Sequence, residues 1–585
     1  MKMKNKILKS ESTTKSFPVF RKVIMRVGII IGITVGGFVG FAAYQDDDHL
    51  FEISKNMEVF GNLFQQLNKL YVDEPKPGEL MKIGIEAMLA SLDPYTNYIP
   101  AEELEDFKYQ TSGEYGGIGA QVKQIGDYIV IAETYEGFVA QKSGLKAGDI
   151  FLEIDGKNCK NKSYAEMGKL LKGLPNTSVK IKVQREGELK PLDFIILRDE
   201  VKVKNVPYFT ILDNHIGYIK LTGFMENTAA EVRAALISLK EKGATSIIID
   251  ERDNPGGLLR EAVGIVNLFV NKGQLIVSMR GRVKDWEKEY KSEETPVDTE
   301  IPLVIIVNSL SASASEIVAG ALQDLDRAVV IGQRSFGKGL VQQTLPIAYG
   351  ALFKVTVAKY YIPSGRCVQS IDYSHRNADG TLDRFADSLI MPFKTKNGRT
   401  VWDGLGVIPD IQTAEKKFSV ITDSLIAKSL LFYYATKYTQ LHPSIEKPET
   451  FRIADREYEE FVSWVKTKDF SYQLKEEKDL VNYKKHALNN KSFSNTESEF
   501  DLLLKKLQSG KTDDFAEFKT EISELLEAEI ASRYYYQAGR AAATIKDDST
   551  IQSATTLLKE PKKWKSILTT IVASSRPLQK EAPEH

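Results

Sequence analysis

The sequence contains few of the residues that build disulfide frameworks and metal sites. Its 585 residues include two cysteines, Cys159 and Cys367, and six scattered histidines. Two thiols so far apart define neither a disulfide framework nor a zinc site, and no two histidines stand at metal-ligand spacing. We therefore expect no structural metal, no catalytic metal and no cofactor.

An excess of either charge is also lacking. Lys plus Arg number 78 against 79 Asp plus Glu, which gives a formal net charge of -1. Nucleic-acid-binding proteins normally carry a net basic surface, so this balance argues against nucleic acid as a partner. The chain has 42% hydrophobic and 27% charged residues, as in soluble globular proteins. Its length suffices for roughly four domains of about 150 residues each.

A long apolar run occurs near the N-terminus. Residues 1–26 carry eight basic side chains and one acid, and the uncharged residues 27–43 follow before Asp46. A basic flank before an apolar run predicts a cytoplasmic N-terminus and export of the rest of the chain. The run is short for a spanning helix and long for a signal core, so it is an anchor or a cleaved signal, with the anchor favoured. We expect the cell envelope, on the periplasmic or extracytoplasmic side of the inner membrane, or secretion after cleavage.

The rest of the chain divides by residue pattern and composition into four regions. Residues 49–112 show helical periodicity, and residues 113–200 show short β-rich runs separated by glycines. Residues 201–412 alternate strands with helices, which indicates an α/β core with a largely parallel sheet. Residues 413–585 are rich in Lys and Glu and predict helices to the end.

Individual elements follow from the apolar runs. In the second region we predict a helix over Tyr164–Leu171 and strands at Ile118–Val122, Tyr128–Ala132, Ile150–Ile154, Val179–Val183 and Phe194–Leu197. In the third region we predict strands at Ile216–Leu221, Ser246–Asp250, Leu303–Val307 and Ala328–Ile331.

A serine-rich segment, Asn308–Glu316, follows one of these strands and opens a helix. Small residues at such a turn let a hydroxyl stand clear at a helix N-terminus, where free N–H groups stabilise negative charge. Serine is also a favoured helix N-cap, so this segment alone is compatible with simple capping.

Two glycine-rich segments also follow apolar strands. Gly332–Gly339 nearly matches the phosphate-binding pattern G-x-x-x-x-G-K-[ST], but a glycine replaces the final hydroxyl and Pro346 arrives too soon for the long helix. That mismatch leaves Lys338, between two glycines, for another role. The glycines that end Asp250–Gly257 allow backbone N–H groups to point into a site, as an oxyanion hole requires.

Together the three segments describe a serine nucleophile, a lysine base and an oxyanion turn. No histidine lies near them in sequence, so a Ser-His-Asp triad has no local candidate. A lysine can serve as the base if burial lowers its pKa, and Ser-Lys pairs are a known variant of this chemistry.

In this order the motifs resemble those of the carboxyl-terminal processing proteases, also called tail-specific proteases, from about Met57 to Asp410. The matching segments are Ser91–Tyr95, Gly116–Ala120, Ser143–Ile150 with Asp155 and Gly156, Asn254–Gly257, Ser311–Glu316, Phe336–Gly339 and Gly404–Asp410. The resemblance implies a multidomain α/β protein. It would have a ClpP/crotonase-like α/β protease core (201–412) with an inserted β-rich PDZ domain (113–200), an N-terminal helical segment (49–112) and a C-terminal helical appendage (413–585).

The resemblance also implies catalytic roles. Ser313 would be the nucleophile and Lys338 its base, with Gln342 orienting the lysine. Backbone N–H groups of Gly257 and Ala314 would form the oxyanion hole. The sequence departs from the family at Glu251, where relatives usually carry an apolar residue.

For the PDZ domain the resemblance implies capture of a protein's C-terminus. The N–H groups of Gly117, Ile118 and Gly119 would bind its carboxylate while the peptide adds a strand to the sheet edge. Arg185 matches a position through which relatives couple binding of the tail at the PDZ domain to the active site. The implied function is a serine endopeptidase that cleaves proteins or peptides with free, apolar C-termini near that end.

Two other functions remain as alternatives. A non-catalytic PDZ-containing binding protein or periplasmic holdase would need neither Ser313 nor Lys338. A crotonase-like acyl-CoA enzyme is disfavoured by the predicted export and the PDZ domain. The natural substrate, any regulator and the oligomeric state stay open, and a homo-oligomer is compatible with the sequence.

Overall fold

A computed structural model describes residues 47–377, 379–468, 470–488, 496–509 and 514–570. The predicted basic segment 1–26 and apolar segment 27–43 lie outside these residues. Across the described ranges, no helix combines the length and the apolar character needed to cross a bilayer. The chain forms two compact units that divide between Met88 and Leu89.

The N-terminal unit is helical, as its periodicity predicts. Helix α1 spans Asp47–Leu70 and helix α2 spans Pro77–Ala90, with Pro77 at the first position of α2. A proline is tolerated there because the first N–H of a helix has no intrahelical partner. Strand β1 (Asn97–Ile99) and helix α3 (Leu104–Ser112) follow in the second unit.

The glycine-rich region folds into an antiparallel sheet with two helices. In chain order its elements are β2 (Glu114–Gly117), β3 (Ala120–Ile125), β4 (Tyr128–Thr134), α4 (Val139–Lys142), β5 (Ile150–Ile154), β6 (Lys157–Asn158), α5 (Tyr164–Leu171), β7 (Ser178–Gln184), β8 (Leu192–Leu197) and β9 (Asp199–Lys202). The sheet order is β3-β4-β5-β7-β8, with β6 on β5, so β3 lies at an edge.

The predictions of β5 and α5 are confirmed, and one neighbouring prediction is wrong. The strand expected at Ile118–Val122 begins instead at Ala120. The backbone of Gly119 has a φ of +75°, and its carbonyl accepts the N–H of Tyr135 at 2.9 Å. This turn holds Ile118 and Gly119 in a loop in front of the strand.

The α/β core contains the expected, largely parallel sheet in the order β10-β11-β12-β15-β16-β23, with only β10 antiparallel. Its elements are β10 (Tyr208–Leu212), β11 (Ile216–Lys220), α6 (Thr228–Glu241), β12 (Ser246–Asp250), α7 (Leu259–Asn267), β15 (Leu303–Val307), α8 (Ala314–Asp324), β16 (Val329–Gly332) and β23 (Ile411–Gln412). Every residue of β12 and β15 is buried, which explains their continuous apolar runs.

A second, antiparallel sheet stands beside the first and was not anticipated. Its order is β1-β18-β13-β14 with β17 paired to β18, and its core strands are β13 (Leu275–Gly281), β14 (Lys288–Lys291), β17 (Leu340–Pro346) and β18 (Leu352–Tyr361). Most residues of β17 and β18 are half-buried, so they lack the apolar runs that mark the parallel strands. Two short hairpins follow, β19 (Ile371–Arg376) with β20 (Leu382–Arg384) and β21 (Pro392–Lys394) with β22 (Thr400–Trp402).

In its described residues the C-terminal region consists of helices joined by loops. Its helices are α9 (Val420–Ala427), α10 (Leu430–Leu441), α11 (Asp455–Lys466), α12 (Lys475–Leu488), α13 (Glu497–Ser509), α14 (Asp514–Glu517), α15 (Lys519–Ile545), α16 (Ser549–Leu558) and α17 (Pro561–Thr569). Ile551 and Leu557 of α16 share a buried cluster with Ile248 and Val304 of the parallel sheet. The last helices therefore cover one face of the core sheet and are part of the fold.

Candidate active site

Ser313 lies at the turn between strand β15 and helix α8. Its backbone has φ +56° and ψ -111°, a conformation that is strained for a residue with a side chain. Such strain at a strand-to-helix turn is typical of a nucleophile that is held out from the backbone. The side chain is half-buried.

The hydroxyls of the three neighbouring serines differ in what they contact. Ser311 Oγ donates to the carbonyl of Glu251 at 2.8 Å, and Ser315 Oγ donates to the carbonyl of Asn254 at 3.0 Å. The Ser313 hydroxyl makes no capping hydrogen bond to helix α8. Among the described residues the Ser313 hydroxyl has no hydrogen-bond partner, unlike those of Ser311 and Ser315, and this favours Ser313 as the nucleophile.

Lys338 lies between strands β16 and β17. Its Nζ is 4.1 Å from the centroid of the Tyr95 ring. Burial, helped by the ammonium group of Lys354, lowers the pKa of Lys338 to about 8, although Glu316 and Asp93 oppose the shift. A lysine with this pKa is partly neutral near pH 7 and can accept a proton.

Glu316 ties the backbones of the two residues together. Its Oε2 accepts the N–H of Ser313 at 2.9 Å and the N–H of Lys338 at 2.8 Å. Its Oε1 accepts the N–H of Gly337 at 2.7 Å and the hydroxyl of Ser335 at 2.5 Å. Burial raises the pKa of Glu316 to about 7, although these hydrogen bonds oppose the shift.

Tyr360 adds a second link. Its hydroxyl lies 2.6 Å from the carbonyl oxygen of Lys338 and 3.0 Å from that of Ser313. Among the described residues no hydrogen bond joins Ser313 Oγ to Lys338 Nζ. The structure therefore brings the two residues together through their backbones, and their direct pairing stays a prediction.

The glycine turn after β12 packs directly on the serine loop. Gly256 and Gly257 have φ values of +95° and +150°. A Cβ at Gly256 would lie 2.6 Å from the carbonyl oxygen of Ala312 and 2.8 Å from the nitrogen of Ala314, and a Cβ at Gly257 would lie 2.4 Å from the carbonyl oxygen of Phe224. Only glycine fits either position.

The two predicted oxyanion donors are free to bind a ligand. In the part of the chain that the structure describes, the N–H groups of Gly257 and Ala314 donate no hydrogen bond. Ala312 N–H donates to the carbonyl of Asn254 at 3.0 Å, which fixes the turn against the loop. This geometry suits an oxyanion hole, in which preorganised donors meet developing charge.

Gln342, on strand β17, has a different partner from the expected one. Its Nε2 donates to Thr356 Oγ1 at 3.1 Å, and Thr356 N–H donates to Thr96 Oγ1 at 3.2 Å. Thr96 Oγ1 donates in turn to the carboxylate of Asp93 at 3.0 Å. No hydrogen bond connects Gln342 to Lys338 within the described ranges, so its role in orienting the lysine stays a prediction.

Sequence reasoning assigned no role to three residues of this site. Glu316 has a detectable signal, because Ser313 and Glu316 show the S-x-x-E spacing of a capping box. Tyr95 belongs to the family-matching segment Ser91–Tyr95, but the sequence indicates no catalytic role for it. Tyr360 lies on an unanticipated strand and has no local signal.

Glu251, the departure noted in the sequence, is fully buried. Both of its carboxylate oxygens lack a hydrogen-bond partner among the described residues. Burial, with Asp250 beside it, raises the pKa of Glu251 well above its ordinary value. This environment favours the uncharged carboxylic acid over the carboxylate.

The predicted carboxylate-binding loop precedes the edge strand β3. Gly117, Ile118 and Gly119 are all buried. The Ile118 carbonyl accepts the N–H of Ala140 at 2.8 Å, while the N–H groups of Ile118 and Gly119 make no hydrogen bond in the described part of the chain. At the same edge, Gln124 N–H donates to the Tyr164 hydroxyl at 2.7 Å.

Arg185 is bound inside the same domain. Its guanidinium donates to both carboxylate oxygens of Asp149 at 2.7 Å and to the carbonyl of Gly144 at 2.8 Å. The structure does not bring it to Ser313 or Lys338 through any hydrogen bond within the described ranges. Coupling through Arg185 stays a prediction.

Comparison with known proteins gives three family matches along the chain. Residues 215–374 match Peptidase family S41, and residues 130–185 match the PDZ domain. Residues 421–558 match the family described as "Probable PDZ-protease, C-terminal helical domain".

Two curated relatives match about half of the chain. A carboxy-terminal-processing protease of Bartonella bacilliformis is 38% identical over 321 residues, which cover 54% of this chain and 73% of the relative. A probable CtpA-like serine protease of Staphylococcus aureus is 34% identical over 315 residues, which cover 54% of this chain and 62% of the relative.

Two solved structures also match. A photosystem II D1 C-terminal processing protease is 25% identical, with a TM-score of 0.34, and the match covers 60% of this chain and 92% of that one. The PDZ domain of a Vibrio cholerae carboxy-terminal protease in complex with peptide is 27% identical, with a TM-score of 0.15, and the match covers 15% of this chain and 99% of that one.

Proposed function

This chain belongs to the carboxy-terminal-processing proteases, and we propose that it is an endopeptidase with Ser313 as nucleophile and Lys338 as general base. The observation that carries the proposal is the state of the three serine hydroxyls. Those of Ser311 and Ser315 are donated to carbonyls, whereas that of Ser313, on a strained backbone, has no hydrogen-bond partner in the described part of the chain. Glu316 links the backbone of that serine to the backbone of Lys338.

In the proposed reaction, neutral Lys338 accepts the proton of the Ser313 hydroxyl as Oγ attacks the scissile carbonyl. The N–H groups of Gly257 and Ala314 stabilise the tetrahedral oxyanion. The lysine ammonium then gives its proton to the departing amine, and the peptide bond breaks. A water molecule, deprotonated by Lys338, hydrolyses the acyl-enzyme and restores the free serine.

We propose that the PDZ domain selects substrates by their C-terminal tail. A carboxylate would bind the free N–H groups of Ile118 and Gly119, with Gly117 giving close backbone access. The tail would extend along strand β3, which lies at the sheet edge. The side chains of Phe138 and Val201 lie against Gly119 and favour a tail with an apolar last residue.

The site of action follows from the N-terminal residues. We propose that residues 27–43 export the chain and hold it on the outer side of the cytoplasmic membrane, since eight basic residues precede this apolar run. The test is fractionation of cells that express the full chain, with alkaline extraction of the membranes and mass analysis of the mature N-terminus. A cytoplasmic, uncleaved protein would contradict export.

The catalytic proposal is tested with an unfolded protein that carries a free apolar C-terminus. Wild type should cut it near that end, and Ser313→Ala and Lys338→Ala should each abolish cleavage while the far-UV circular dichroism stays unchanged. Ser309→Ala is the matched control, because Ser309 is exposed in the same loop. The Ser309→Ala variant should cleave the substrate at the wild-type rate. Mass spectrometry identifies the products.

Two outcomes would contradict the proposal. Tight binding of the tail by a wild-type protein that never cleaves it would favour the non-catalytic binding protein instead. Equal cleavage of free and amidated C-termini would reject tail selection and leave the serine protease intact.

A further inference from the structure

The C-terminal helical domain contacts the residue that precedes the oxyanion turn. Asp548 is the N-cap of helix α16, and its Oδ1 accepts the N–H of Ile551 at 2.9 Å. Its Oδ2 accepts Nη1 of Arg252 at 2.7 Å. The two oxygens therefore have separate tasks, one in the helix and one across the domain boundary.

Arg252 is held from two sides. Within the core, its Nη2 donates to Asp250 Oδ2 at 2.6 Å and its Nε donates to Asp250 Oδ1 at 3.0 Å. Asp250 is itself fixed, since it is buried and accepts the Tyr218 hydroxyl at 2.8 Å. Asp548 completes the charge pairing of Arg252 from outside the core.

This ion pair is largely shielded from water. The side chains of Arg252 and Asp548 are 20% and 21% exposed. An exposed pair contributes little because solvent screens it, whereas a shielded one fixes its partners more strongly. The C-terminal domain therefore supplies one of the two carboxylates that hold Arg252 in place.

The residues after Arg252 connect it to the loop that carries Ser313 through hydrogen bonds. Asp253 N–H donates to Asn308 Oδ1 at 3.0 Å, and Asn308 Nδ2 donates back to Asp253 Oδ1 at 2.8 Å. The carbonyl of Asn254 accepts the N–H of Ala312 and the hydroxyl of Ser315. A displacement of Arg252 would consequently shift the glycine turn against the loop that carries Ser313.

We propose that Asp548 is a positioning residue of the active site, through which the C-terminal helical domain holds the oxyanion turn in its working geometry. The proposal rests on the serine protease function. It assigns a role in positioning the active site to the C-terminal helical domain, whose sequence contains no recognised catalytic motif. Asp548 acts through Arg252 and contacts no substrate.

The test separates the charge of Asp548 from its capping role. Asp548→Asn keeps a preferred N-cap but removes the charge, whereas Asp548→Glu keeps the charge but is a poor N-cap. Asp547→Asn is the control, because Asp547 pairs with Arg452 instead. Each variant of the full chain is measured for kcat, KM and melting temperature. Its affinity for a peptide aldehyde is also measured, because the hemiacetal that the aldehyde forms with Ser313 places an oxygen in the oxyanion hole.

We expect Asp548→Asn to lower kcat about tenfold, with KM changed less than about twofold, because small displacements of catalytic donors cost rate rather than binding. Its aldehyde affinity should fall in parallel while its melting temperature stays near that of wild type. Asp548→Glu should keep most of the activity and lose thermal stability, and Asp547→Asn should match wild type.

Three results would overturn the proposal. They are wild-type kcat in Asp548→Asn, an activity that follows the melting temperature across the variants, or equal losses in the Asn and Glu variants. A wild-type protein that cleaves nothing would instead reject the proposed protease function, so the two failures are distinguishable.

Discussion

The glycine turn beside Ser313 and the loop in front of strand β3 both present free backbone N–H groups to a negative oxygen in the described part of the chain, and they are built differently. In the glycine turn, a Cβ at Gly256 or Gly257 would collide with backbone atoms. In the PDZ loop, a Cβ at Gly117 would meet the ring of Tyr115 at 2.5 Å, and one at Gly119 would meet the side chain of Phe138 at 2.5 Å. Backbone surrounds the first site, and side chains surround the second.

This difference matches the two tasks. The oxyanion forms only during the reaction, as the tetrahedral intermediate is approached, so its donors must be in place beforehand and must not move. A carboxylate-binding loop receives tails of different sequence, and the ring of Tyr115 beside Gly117 can rotate to accommodate them. We therefore expect the same small change to be severe at the first site and mild at the second.

The largest effect is expected from Gly256→Ala. The added methyl group would force the turn away from Ala312 and Ala314, so kcat/KM should fall about 1,000-fold, as when an oxyanion donor is lost. Gly273→Ala is the matched control, since Gly273 also has a positive φ of +84° but open space around its Cβ position. Similar activities in the two variants would remove the contrast on which the comparison depends.

Glu316→Gln should have the next largest effect. The amide keeps one acceptor oxygen in place of two, so its NH2 group must face either the N–H groups of Ser313 and Lys338 or the N–H of Gly337. At least one backbone N–H loses its partner in either orientation, and kcat should fall about 100-fold. Steady-state kinetics with a tail peptide measure this loss. A variant that folds and keeps wild-type kcat would show that Glu316 does not hold the two residues in place.

A smaller effect is expected from pH. Protonated Lys338 cannot accept the serine proton, so kcat/KM should rise with pH up to about 8 and fall about tenfold for each unit below it. Lys354→Met removes the neighbouring ammonium that helps to lower this pKa, so the profile should move to higher pH. A rate that stays flat from about pH 5 to 9 would exclude a lysine base.

The smallest effect is expected at the PDZ loop. Gly117→Ala should raise KM for tail peptides about fivefold and leave kcat at saturation unchanged, because the Tyr115 ring can move aside. A short internal peptide without a free C-terminus provides the control and should be cleaved equally by both proteins. A loss of kcat as large as that of Gly256→Ala would mean that the PDZ loop is as rigid as the oxyanion turn.

The sequence predicts most of the local features of this molecule and fewer of the distant ones. Strands Ser246–Asp250 and Leu303–Val307 are confirmed because their residues are buried on both sides and form continuous apolar runs. The family and its protease, PDZ and helical parts are also confirmed. The order of the motifs along the chain was sufficient for this.

What the sequence does not predict depends on contacts between distant segments. Tyr95 beside Lys338, Tyr360 beneath the serine loop and Asp548 against Arg252 each come from a different part of the chain. The expected strand at Ile118–Val122 begins late because a tertiary hydrogen bond holds Gly119 in a loop. No local periodicity encodes such contacts.

The most direct test of the account is to identify the nucleophile by covalent labelling. The full chain is incubated with a C-terminal tail peptide that carries a phosphonate ester, which bonds to an activated serine, and the modified residue is located by peptide mass spectrometry. The account predicts one adduct, on Ser313, that disappears in Lys338→Ala. An adduct on Ser309, Ser311 or Ser315, or labelling of Ser313 that persists without Lys338, would contradict it.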